Sequence, residues 1–180
     1  MRKIALAMVA VMVFVMAFTG CSKEPEMVVN VEAPVTIQQV NTEGKYVARA
    51  FIESLFKDDK ALFTACYPEG FVDDLNAAAG VDVYEQYRSV FQVTGTYEGT
   101  GFAGYKEYTV ANGYDEGYMR SRICSVTGLE YGQVGQIQLQ KIRLFVKYDT
   151  QTIDSDFYII VYESNGSWYV LESIKNEREF

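Results

Sequence analysis

The sequence predicts an α+β fold in which N-terminal helices pack on a curved antiparallel sheet. Two observations carry this: apolar residues recur at helical spacing up to Phe91, and beyond it the period falls to two as β-branched and aromatic residues crowd in. Helices first and strands afterwards is the segregated layout of an α+β domain.

The first helix rests on Tyr46, Val47, Ala50, Phe51 and Leu55, with Asn41 or Thr42 placed to cap it. Asp58-Asp59 can start a short second helix carrying Leu62, Phe63 and Cys66, stopped at Tyr67-Pro68. A third holds Phe71, Val72, Leu75 and Ala78-Ala79 and ends at Gly80. A fourth opens with Asp82 and Glu85, spaced as a capping box, and buries Val83, Tyr84, Tyr87, Val90 and Phe91.

Five strands are expected, over Tyr105–Val110, Tyr118–Val126, Gln136–Asp149, Phe157–Glu163 and Trp168–Ile174. The long one changes phase, from Ile137 and Leu139 to Ile142, Leu144, Val146 and Tyr148. A bulge near Gln140-Lys141 would restore one inward face. Asn165-Gly166 between the last two strands suits a type I′ hairpin turn, which explains the Asn-Gly-Ser167 triplet without glycosylation.

Ahead of this domain, Arg2-Lys3 precedes an apolar run from Ile4 to Phe18, about 15 residues or ~22 Å of helix, short of a ~30 Å bilayer core. Basic start, apolar middle and small Thr19 and Gly20 form the order of a secretory signal. Phe18-Thr-Gly-Cys21 resembles the lipobox of bacterial lipoproteins, with Phe where that family more usually has Leu. The resemblance implies cleavage before Cys21, a diacylglycerol thioether on its sulfur, and an extracytoplasmic protein held on the cell membrane, or on an outer membrane if the source has one. Several acyl chains suffice for stable anchoring where one does not. The expected organisation is a signal peptide over 1–20, a lipidated Cys21 with a flexible tether to residue 40, and one domain over 41–180. Ser22–Val40 has two prolines and scattered charge, as a tether would, although its Val-rich pieces can pair with a sheet edge.

Removal of the signal takes Arg2 and Lys3, leaving 14 basic residues against 24 acidic, a formal charge of −10. That excludes nucleic acid as a natural partner. The chain has no histidine, so a histidine-based triad is ruled out, and no metal site or cofactor is expected. Cys66 and Cys124 are an even pair in an exported chain, compatible with a disulfide or with two separate buried thiols.

The run Tyr46-VARAFIESLFKDDKALFTACYP68 and the closing hairpin YIIVYESNGSWYVLESI, with Trp168 after the turn, look like the nuclear transport factor 2-like superfamily over roughly Thr42 to Ile174. The resemblance implies a cone of curved sheet over helices, open at one end, in which enzymes of the superfamily set a carboxylate or His base beside Tyr-type donors. No acidic residue here matches those bases, so catalytic residues stay unassigned.

Other motifs have plain readings. Gly99-Thr-Gly-Phe-Ala-Gly104 has dinucleotide-loop spacing but no βαβ context, and reads as a Gly/aromatic loop. Asp154-Ser-Asp156 lacks the Gly and distal Glu of a calcium loop and reads as a solvated strand start. Lys141, Arg143 and Lys147 read as a solvated face. Arg120 and Arg122, two apart on an expected strand, would share a face. With Tyr148 and Trp168 they are the candidate ligand-binding residues, able to hold an anion if that face is concave. The functions in view are a binding or protein-interaction module for an unidentified small ligand or protein partner, an isomerase- or dehydratase-type enzyme, and a structural lipoprotein self-associating as a homodimer through a sheet face.

Overall fold

A computed structural model describes residues 28–90, 95–149 and 151–174. The signal, Cys21 and Phe91 lie outside them. Four helices come first: α1 (Gly44–Lys57), α2 (Lys60–Ala65), α3 (Phe71–Ala79) and α4 (Val83–Val90). Then follow β1 (Thr96–Glu107), α5 (Glu116–Thr127), β2 (Ile137–Tyr148), β3 (Gln151–Ser164) and β4 (Ser167–Ile174). The strands form one antiparallel open sheet in the order β1-β2-β3-β4. The fold is α+β, as the sequence predicts.

The short helices start and stop on expected residues. Asp59 caps α2, accepting from the Leu62 N–H at 2.9 Å. Asp82 accepts from Tyr84 N–H at 3.0 Å ahead of α4. Gly80 closes α3 in the left-handed region, at φ 70°. Asn41 does not cap α1, because its amide donates instead to the carbonyls of Ala65 and Trp168, at 3.0 and 2.8 Å, tying the helix approach to α2 and β4. Asn165 and Gly166 both have positive φ, 53° and 78°, as a type I′ turn requires.

Several expectations about the sheet are corrected, and the strand expected over Tyr105–Val110 is observed as Thr96–Glu107. Tyr118–Val126 is not a strand but most of α5: Asp115 caps it, accepting from Tyr118 N–H at 2.8 Å, and Gly128 ends it. Met119 and Ile123, four apart, bury together, and the apparent alternation of this segment is incidental to that spacing. Nor does β2 bulge at Gln140-Lys141, since it pairs with β3 without a break from Ile137↔Tyr162 to Tyr148↔Gln151.

The phase change has another cause. Ile142, Leu144 and Val146 face α1–α4, with Phe51, Phe63, Ile159, Val161 and Val170. Ile137 and Leu139 face the other way, with Met119 and Ile123 of α5, Ile160 and Tyr162. One strand therefore contributes to two cores on opposite faces of the sheet.

Bulges fall instead in β1, between Tyr97 and Gly99 and between Phe102 and Gly104, and in β4 at Leu171, where Ile160 pairs with Glu172 but Val161 with Val170. Gly99 to Gly104 is thus strand, not loop. Its glycines admit residues 28–36, an arm that runs antiparallel along the free edge of β1. A Cβ on Gly99 would come within 2.4 Å of Val31, and one on Gly101 within 2.3 Å of the Asn30 carbonyl. The Glu32 N–H donates to Thr100 O at 2.9 Å, covering an otherwise open edge. Val35 and Val40 are buried, so residues 28–40, expected as tether, belong to the domain.

Candidate functional site

The space between the sheet and α1–α4 is occupied by side chains. Phe63 lies 5.8 Å from Phe51, 5.1 Å from Tyr84 and 5.8 Å from Tyr87, ring centre to ring centre. These rings and Ile142, Leu144 and Ile159 pack as one interior. Two clefts lie at the periphery.

The first, of about 360 Å³, is bounded by Glu107, Thr109, Glu116, Arg120, Gly135 and Glu163. The end of β1 supplies Glu107, the first turns of α5 supply Glu116 and Arg120, and the β3–β4 hairpin supplies Glu163. Arg120 donates to Glu116 Oε1 at 2.7 Å and to the Val134 carbonyl, so its charge is spent within the wall. Three carboxylates against one committed guanidinium leave the cleft acidic. Gly135 floors it where a Cβ would overlap the Glu163 carboxylate. Burial pushes the neighbouring Tyr108 phenol up to about 12, with Tyr114 stacked on its ring at 4.5 Å. Among the described residues no group of three or more His, Cys, Asp or Glu is placed to hold a metal ion.

The second cleft, of about 340 Å³, lies between the arm and α1, lined by Glu32, Val35, Thr36, Gln39, Tyr46 and Arg49. Behind it stands a buried charge network. Arg49 donates to Glu32 Oε2 at 2.7 Å, to the Ala33 carbonyl at 2.7 Å, to Glu53 Oε1 at 3.2 Å and to Thr100 Oγ1 at 3.2 Å. Glu53 accepts in addition from Thr100 Oγ1 at 2.8 Å, Lys57 Nζ at 2.8 Å and the Val35 N–H at 3.2 Å. A carboxylate so fully engaged has no lone pair left to abstract a substrate proton. Its work is to fasten arm, α1 and β1 together.

The four candidate ligand-binding residues do not converge. On a helix Arg120 and Arg122, two apart, diverge by about 200°. Arg122 makes a bidentate pair with Glu172 of β4, at 2.5 and 2.6 Å, which clamps α5 to the sheet. Tyr148 sits at the end of β2 against Gly95, and Trp168 at the start of β4 against Gly44. The disulfide is also corrected. Both thiols are free, with Cys66 in the core under α1–α4 and Cys124 against the core under α5, on opposite faces of the sheet. Beyond α5 the second face carries Arg143, bidentate to Asp156 at 2.8 and 3.1 Å, and Lys141, 3.1 Å from the same carboxylate. The carboxylates of Asp154 and Asp156 have found the chain's own cations.

Sequence reading missed the Arg49 network. Its one trace in the sequence is Arg49, Glu53 and Lys57 at four-residue steps down the side of the first helix away from its apolar stripe, a spacing that a solvated face shares, and only the burial of that side by the arm and β1 sets it apart. No protein-family model matches the chain, and no curated protein or solved structure does.

Proposed function

We propose that the chain is a lipoprotein anchored through Cys21 on the extracytoplasmic side of a membrane, with a nuclear transport factor 2-like domain that acts by surface contact rather than by chemistry in its cone. The observation that carries this reading is the filled interior: Phe51, Phe63, Tyr84 and Tyr87 occupy the space where a superfamily enzyme would hold its substrate. The fully engaged Glu53 carboxylate, the buried acid of α1, supports it further. Helices α1–α4 on one face of a four-stranded antiparallel sheet agree with the proposed family, to which α5 on the other face is an addition. Among the described residues no helix is long and apolar enough to cross a membrane.

The test is palmitate labelling and cell fractionation of wild type and Cys21→Ser. Label and membrane retention should both be lost in the variant. A variant that stays in detergent-requiring fractions overturns the lipid anchor.

A further inference from the structure

We infer that the end of the domain formed by the last residues of β1, the start of α5 and the 3₁₀ turn Tyr131–Gln133 lies against the bilayer interface. The inference rests on the lipid anchor proposed above and adds an orientation to it.

The arm shows where the leash begins. Val31 lies over Gly99 and Val29 and Asn30 lie over Gly101, so the arm, read back to Val28, points to the end of β1 that carries Tyr105 and Glu107. Seven residue steps separate Val28 from Cys21, at most about 25 Å of extended chain. From Phe102 to Glu107 the strand itself covers about 17 Å. Cys21 is therefore within about 25 Å of Val28, a reach that includes the end of β1.

That same end exposes apolar and aromatic side chains that the cores do not use. Tyr105 is 54% exposed, Val110 77%, Tyr118 63% and Tyr131 56%. They lie toward one end of the domain on its two faces: Tyr105, stacked on Phe102, is on the α1–α4 face near the β1 terminus, Val110 follows that terminus, Tyr118 is on the first turn of α5, and the Tyr131 hydroxyl lies 3.9 Å from where a Gly117 Cβ would stand. Tyrosine suits the membrane–water boundary, with an apolar ring and a polar tip. The Glu107, Glu116 and Glu163 carboxylates at the same end choose the lipid: a zwitterionic surface accepts them, and an anionic one repels them within a Debye length.

The experiment uses the full chain purified from membranes, with Cys124→Ser as background and Cys66 left buried. Val110→Cys, Tyr118→Cys and Ile153→Cys each receive an environment-sensitive fluorophore. All three sites are exposed, and Ile153 is at the opposite end of the sheet, paired with Val146. In phosphatidylcholine vesicles with nitroxide-headgroup lipid, probes at 110 and 118 should be quenched several-fold more than the probe at 153. Adding phosphatidylglycerol should reduce the difference, and raising the salt should restore it. Mass analysis of the peptide beginning at Cys21 accompanies each sample. Lipid on Cys21 with equal quenching at all sites overturns the orientation and leaves the anchor standing. An unmodified Cys21 removes the anchor, and the orientation with it. Probes that are shielded in a sedimenting dimer but unquenched by lipid would assign this end to a second copy and overturn the membrane contact.

Discussion

The guanidinium of Arg49 meets the carboxylate of Glu53 at 3.2 Å, one helical turn apart, with the two side chains only 2% and 1% exposed. Removing one partner leaves the other charged and out of water. Arg49→Met and Glu53→Leu should each cost about 3–5 kcal/mol, whereas the double replacement should cost well below their sum. Urea midpoints at fixed m-value measure this. Strict additivity would mean that the two groups do not depend on each other.

The arm depends on glycine. Gly101→Val puts a side chain where the Asn30 carbonyl and Val29 now lie, and should lose about 1–3 kcal/mol together with the amide protection of residues 29–33. Gly132→Val, whose Cβ would meet nothing within 4 Å, should change neither. Retained protection in the Gly101 variant would place the arm elsewhere.

Thiol chemistry separates the cysteines. Burial, and behind it the charge of Glu53, pushes the Cys66 thiol well above its ordinary value, so little thiolate forms and no reagent reaches it. In a Cys21→Ser background, native protein should titrate Cys124 alone, and denatured protein should titrate Cys66 as well without added reductant. A requirement for reductant would restore the disulfide.

Acid should weaken the sheet's second face. Burial raises the Asp156 carboxyl, but hydrogen bonds from Arg143 and Lys141 outweigh it and hold the group below its usual value. A depressed carboxylate stabilises the fold above its unfolded value of about 3.9 and loses that contribution as pH falls through the folded one. Wild type should exceed Asp156→Asn by about 1 kcal/mol at pH 6, and the gap should close as the pH falls through the folded value. A gap that widens in acid would refute the pairing.

Much of the fold was legible because local signals coincided with tertiary packing. Asp59, Asp82, Gly80 and Asn165-Gly166 mark boundaries through hydrogen bonds or φ values that belong to those residues alone. What failed depended on partners distant in sequence. The Tyr118–Val126 alternation is equally the i, i+4 spacing of Met119 and Ile123, and the decisive signs, Asp115 and Gly128, stood just outside it. A phase change in a strand has two causes, a bulge or a second core, and only the placement of α5 decides between them. The glycines of β1 read as looseness until the arm that needs them is seen. The candidate ligand-binding set dispersed for the same reason, since its arginines share a face only if α5 is a strand.

Leu139 and Ile142 stand three residues apart on β2 yet reach into opposite layers. Neither layer can melt while the other stays native without tearing the same hydrogen-bonded ladder. The domain should therefore unfold in a single calorimetric step, with van't Hoff and calorimetric enthalpies equal. A cavity cut under α5 by Leu139→Ala should then raise hydrogen exchange not only there but also in α1, on the far side of the sheet.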